Sequence, residues 1–338
     1  MKKVLIGILL LLFCIAQVTA QVTVQTESQL HASLQIGQYT FFPAAFNPAA
    51  VGKTGMIQVV GMNRMDFLTM PSGVNTTNVG VNMPFSIGSS SHGAGIRFVN
   101  RMSGTLWSHQ NAYLQYAYKR NTPIGRFSVG VDIGFTNSRF DGTAAIFNPP
   151  PPIGGENEFH YDEPRFEQDM SDMALDFNVG VIYSFERGYV GLSMAHVTEP
   201  SLSLDEHTTA TVMRVMRVMG SYNFRIPDTK ITVMPHTLFT TNFIVHEWNL
   251  GAIFEFDEKF WGGLSVRTGV TAGGMAGFNA VGFNVGMNIT GGISAGLLYD
   301  LPTTRLINTV GSVELFIAYN FEFVRNRHNR RHKSIRIL

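Results

Sequence analysis

Cysteine is nearly missing from this 338-residue chain, and the single Cys14 cannot close an intramolecular disulfide. Charged residues make up only 14%, against about a quarter in ordinary soluble domains. Past residue 20 no apolar run approaches the roughly 18 to 20 residues of a spanning helix, which argues against a helical membrane protein. Basic surface is scarce as well. The formal net charge is +1 and only the C-terminal tail is basic, so nucleic-acid binding has no support.

What is abundant is glycine, at 34 residues, and aromatic side chains, at 12%. That mix suits strands and turns, and a β-barrel needs only about 9 to 11 alternating residues per crossing. Residues 1–20 read as a secretory signal: Lys2 and Lys3 lead an apolar run over 4–15, and Val18-Thr19-Ala20 forms a small-residue cleavage site. Phe13, just before Cys14, is too large for a usual lipobox. Cleavage would remove Cys14 and two lysines, taking the formal charge from +1 to −1 and excluding a cysteine nucleophile.

Residues 174–194 carry the clearest pattern. Leu175, Phe177, Val179, Val181, Tyr183 and Phe185 share one parity, while Asp176, Asn178, Gly180 and Ser184 share the other. Period two with one apolar face is a strand. After Glu186-Arg187-Gly188 the chain returns with Val190, Leu192 and Met194 apolar, which makes a hairpin. The polar faces of such segments carry Gly, Asn, Ser and acids in place of aliphatics that would fill a core, so the simplest solvent for the apolar faces is lipid.

Similar segments fall at 55–67, 72–84, 91–102, 105–119, 125–138, 174–186, 188–197, 208–226, 230–241, 246–257, 259–268, 276–288, 292–300 and 311–324. They predict an all-β fold, an antiparallel transmembrane β-barrel of about 14 strands with both termini on one side. Residues 208–226, with a Val-Met-Arg repeat, suit a helix or a strand by period and are assigned to a strand by context. Even-numbered connections are short and the odd ones include the long 141–172 and the 198–207 segments, the pattern of periplasmic turns and external loops. Glu186-Arg187-Gly188 is thereby expected at the periplasmic rim.

The expected organisation is a signal peptide (1–20), a periplasmic lead-in followed by an ordered loop or plug segment (21–54), the barrel (55–324) and a basic tail (325–338). Pro43, Pro48 and Gly52 exclude a strand from the second part. In the tail, Arg325, Arg327, Arg330, Arg331, Lys333 and Arg336 read either as a charged anchor or as a docking element for a periplasmic partner.

Catalytic, metal and cofactor chemistry finds little support. Glu156, Glu158, His160, Asp162 and Glu163 follow a run of prolines over 149–152 and read as a solvated loop without the spacing of a calcium-binding loop. His328 and His332 lie among arginines that would repel a cation. Gly292-Ile293-Ser294-Ala295-Gly296 has a nucleophile-elbow spacing but leads from a turn into a strand, not from a strand into a helix. The 269–277 glycine run lacks the Lys-Ser/Thr ending of a phosphate loop.

Short motifs in order along the chain resemble one family. Gln38-Tyr39 with Phe46-Asn47-Pro48-Ala49-Ala50-Val51-Gly52 is similar to the opening of the PorP/SprF proteins of Bacteroidota. Asn63-Arg64-Met65-Asp66-Phe67 stands where the family shows Arg-x-Gln-Trp, and Gly311-Ser312-Val313-Glu314 where it shows Gly-Ser-His-Glu. Gly93-Ala94-Gly95-Ile96 with Tyr116-Ala117-Tyr118, and 177–181 through 189–193, resemble its hairpins. The resemblance implies a cell outer-membrane component of type IX secretion and, in gliding species, of adhesin display. It also implies as partners the periplasmic ring subunits or the C-terminal domains of secreted cargo, besides outer-membrane lipid, with Gln38, Tyr39, Asn47, Pro48 and Gly52 as signature positions of unassigned role. The alternative is a general porin or small-molecule transporter, for which Gly, Asn and Ser on the inward parity would line a wet lumen.

Overall fold

A computed structural model describes residues 36–69, 73–141, 169–205, 208–271, 279–289, 291–303 and 310–322. The strands among them are β1 (Ile57–Asp66), β2 (Val74–Ile87), β3 (Ser90–Ser103), β4 (Trp107–Thr122), β5 (Gly125–Phe140), β6 (Met170–Phe185), β7 (Gly188–Ala195), β8 (Ser201–Asp205), β9 (Thr208–Thr211), β10 (Val215–Tyr222) and β11 (Phe224–Arg225). They continue as β12 (Ile231–Thr241), β13 (Val245–Phe256), β14 (Phe260–Thr271), β15 (Ala280–Ile289), β16 (Ile293–Pro302) and β17 (Ser312–Phe321). Each barrel strand pairs antiparallel with its sequence neighbours. The first strand meets the last, Arg64 opposite Glu314, so no edge is left. Because β11 continues β10 across Asn223, the fifteen strands of that sheet make a closed barrel of fourteen.

The alternation read from sequence is the alternation of wall faces. Leu175, Val179, Val190 and Leu192 are exposed on the outside, whereas Asp176, Asn178, Gly180 and Ser193 are buried within. Exposed Tyr118, Phe127, Tyr222, Phe256, Phe260 and Tyr319 gather near one rim as an aromatic girdle. That rim also carries both barrel ends and the tight turns, among them Glu186-Arg187 between β6 and β7. The 141–169 connection leaves from the opposite end of β6.

Leu114 lies midway along β4 with its side chain 68% exposed to the surroundings of the barrel. Leu114→Arg is expected to lower the unfolding free energy in lipid vesicles by about 2–4 kcal/mol, the cost of a cation facing hydrocarbon. Equilibrium unfolding of the two proteins in the same vesicles measures it.

Two readings of the sequence need correction. Residues 208–226 are not one strand: β9 pairs with β8 in a separate two-stranded hairpin, and the wall resumes only at Val215. From there the Val-Met-Arg repeat resolves to period two, with Val215, Arg217 and Met219 inward and Val218 outward. At the 212–214 break Arg214 meets Glu199 at 2.7 Å on the exposed surface. Nor is the inward face uniformly polar. Ile182, Met219, Ile253, Trp261 and Phe316 are buried inside the barrel. They are apolar because they face other side chains, not water.

Candidate functional site

What they face is the segment ahead of β1. Residues 36–54 lie within the barrel, where Pro43–Ala45 and Pro48–Ala50 each form a single 3-10 turn. Proline suits the first position of such a turn because its missing N–H has no partner to lose. Tyr39, Phe42, Phe46 and Val51 pack with Ile182, Met219, Ile253 and Phe316 into one buried apolar cluster. Phe41 lies against Trp261 and Phe316 at ring separations of 4.9 and 5.0 Å. The lumen thus holds a core of the kind a soluble domain would have, built from this plug and the wall around it.

Polar contacts tie the plug to the wall at both ends. Toward the long-loop rim, the Glu314 carboxylate accepts the backbone N–H groups of Gly37 and Gln38 at 2.7 and 2.9 Å, and the Gln38 amide donates to the Glu314 carbonyl at 3.2 Å. Arg64, 1% exposed, meets Asp66, Asp300 and Glu314 at 2.8, 2.7 and 3.3 Å, and Arg267 stands 3.4 Å from Asp300. Pairing this close offsets the cost of taking these charges out of water. Tyr39 shares a 2.7 Å hydrogen bond with His236 Nδ1 on β12. On the far side of the lumen Gln115 of β4 donates to both Ala44 O and Asp132 at 3.0 Å.

The middle of the plug is fixed by Asn47. Its amide donates to Val181 O and Leu192 O at 3.1 Å each, on β6 and β7, while its side-chain oxygen accepts from Ala49 N and caps the second turn. Ser193 donates to Phe46 O at 2.7 Å. These approaches require wall positions without a side chain. A Cβ at Gly130 would stand 2.3 Å from Ala49 N, and one at Gly180 would stand 2.2 Å from the Asn47 oxygen. Toward the short-turn rim, Gly52 adopts φ +65° and donates to Asn82 at 3.0 Å. Beside the plug lie a cavity of about 10 Å³ bounded by Gly37, His236 and Leu298 and another of about 10 Å³ bounded by Phe46, Arg97 and Asp132. Each has room for about one water.

Residues 28–319 match the family described as type IX secretion system membrane protein PorP/SprF. The chain belongs to the PorP/SprF family. No curated protein matches it. Among solved structures, the deltaS2S3 mutant of the TodX monoaromatic hydrocarbon channel superposes with a TM-score of 0.50 at 8% identity, covering 82% of this chain and 93% of that one. Omp33 of Acinetobacter baumannii gives a TM-score of 0.46 at 9% identity, over 80% of this chain and 100% of that one. The toluene transporter TbuX of Ralstonia pickettii gives 0.45 at 11%, over 85% and 94%. At such identity the TodX likeness carries the barrel fold and nothing about a substrate.

In this PorP/SprF chain the signature positions Gln38, Tyr39, Asn47, Pro48 and Gly52 are all buried in the lumen. On the wall they meet Glu314, His236, the β6–β7 backbone, Gly130 and Asn82 respectively. Asp66, at the position where the family shows Gln, pairs with Arg64. The tail residues Arg325 to Arg336, the acidic group at 156–163 and the His328/His332 pair lie outside the described residues. Ser294 sits on β16 with its hydroxyl donating to Asn288 at 2.7 Å, an amide with no base character. Sequence reasoning missed Arg64, Asp300 and Glu314 as a group. The available signal was that Arg64 and Glu314 each stand on the inward parity of their strands.

Proposed function

We propose that this chain is a non-enzymatic subunit of type IX secretion that sits in the outer membrane and docks periplasmic ring subunits or the C-terminal domains of secreted cargo. The observation that carries the reading is the filled lumen: a porin would keep a wet passage, whereas here the plug is anchored to the wall around it. On this reading the short-turn rim faces the periplasm, residues 1–20 direct export, and the basic tail after β17 extends the docking surface. In gliding species the same role covers display of surface adhesins.

Deleting the gene tests it. Secretion of type IX cargo and surface display of adhesins are expected to fall, and the full chain should carry a ring subunit or cargo with it when isolated from membranes. Unchanged secretion and display in the deletion strain would refute the docking role.

A further inference from the structure

Charge is distributed unevenly around the short-turn rim. From β4 to β11 that rim carries four exposed arginines, Arg120, Arg126, Arg187 and Arg225, against one exposed acid, Glu186. None of the four pairs with a carboxylate among the described residues, and Arg126 donates to the Asn121 side-chain oxygen at 2.9 Å. On the next part of the rim the cations are matched, as Lys230 and Lys259 both pair with Asp257 at 2.9 and 3.3 Å. The β2–β3 turn at 88–89 carries no charge.

The barrel ladder holds these arginines side by side. Arg120 stands opposite Phe127, and Arg126 opposite both Asn121 and Ser184. Ser184 leads into the β6–β7 turn, where the Arg187 carbonyl accepts the backbone N–H of Asn223, two residues before Arg225. Strands about 4.8 Å apart set neighbouring hairpins about 10 Å apart, close to one Debye length, so the exposed guanidinium groups sum to one positive field.

What that field meets follows from where Arg120 stands. It comes after Leu114, Tyr116 and Tyr118 on the outward face of β4, and so leaves the wall on the side where lipid lies. The girdle residues Tyr118, Phe127 and Tyr222, with exposed Phe224, occupy the same arc, and Ile124, 80% exposed, tips the turn between Arg120 and Arg126. An apolar wall that ends in arginines matches acyl chains that end in phosphate, whose oxygens a guanidinium can meet two at a time. An acidic protein would supply the charge but not the hydrocarbon beside it. We propose that Arg120, Arg126, Arg187 and Arg225 bind the headgroups of anionic phospholipids and so fix the depth of the β4–β11 wall in one leaflet. The proposal stands independently of the docking reading.

The lipid-stripped full-length protein in neutral detergent is titrated with phosphatidylglycerol or with phosphatidylcholine of the same acyl chains, and bound lipid is counted by native mass spectrometry. Phosphatidylglycerol is expected to bind more tightly, with an affinity that falls as salt rises. Arg120→Gln, Arg126→Gln, Arg187→Gln and Arg225→Gln should each weaken it by about fivefold, one arginine's share of the attraction to an anionic membrane surface. The fourfold variant should bind the two lipids alike, and Lys259→Gln, on the paired part of the rim, should bind as the parent does. The single variants, at exposed positions, keep the test open if the fourfold one fails to fold. Equal affinity of the parent for both lipids, unchanged phosphatidylglycerol binding in the folded arginine variants, or an equal loss in Lys259→Gln would overturn the proposal. Binding of polyglutamate through the same arginines, without binding of phosphatidylglycerol, would overturn it in favour of an acidic protein partner.

Discussion

Replacing Glu314 by Ala is expected to cost about 3–5 kcal/mol of folding stability and to free the upper end of the plug. Removing one member of a buried ion pair leaves the other charged and unsolvated, and that is the usual range for the loss. Here the consequences fall on both sides of the carboxylate. Arg64 keeps Asp66 and Asp300 but loses a partner at 3.3 Å, and the N–H groups of Gly37 and Gln38 lose their acceptor altogether. Chemical unfolding in micelles gives the stability change. Hydrogen exchange separates the two effects: protection at 37–39 should collapse while protection in β1 and β17 persists below the unfolding transition. Equal loss across plug and wall would mean that Glu314 holds the barrel and not the plug.

A second large effect is expected at Gly130. The plug backbone passes so close that a valine Cβ would sit 2.3 Å from both Ala49 N and Pro48 C. Backbone on both sides leaves no rotamer to relieve the contact, so Gly130→Val should reach the upper end of the overpacking range, about 3 kcal/mol. The barrel wall is closed by its own ladder, whereas the plug is tied by side chains, so the plug is what should yield. The variant is expected to show ion conductance in planar bilayers. Val131→Ala changes the lipid face one residue further along β5 and should stay closed.

How much of this was legible in the chain can be traced in particular residues. The β6–β7 hairpin was open to reading because lipid on one side and protein on the other impose a period of two on Leu175 to Phe185. The 208–226 stretch was not, because its first part pairs with β8 in a hairpin apart from the wall, and the choice of pairing partner leaves no trace in periodicity. The inward glycines were visible but misleading. Gly130 and Gly180 suggest a wet lumen by composition, and the structure shows them making way for backbone. The Arg64, Asp300 and Glu314 cluster was the least accessible, since it depends on which strands meet. Arg64 and Glu314 stand 250 residues apart in sequence and are neighbours only because the barrel closes. Sequence pattern gives the face a residue points to, and register gives its partner.

The central claim is that residues 36–54 fill the lumen and make the barrel a closed body. Single-channel recording on the purified full-length protein in planar bilayers tests it most directly. The account predicts no stable conductance from the intact chain and a steady open channel once residues 36–52 are deleted. A stable open pore in the intact protein, unchanged by that deletion, would contradict it.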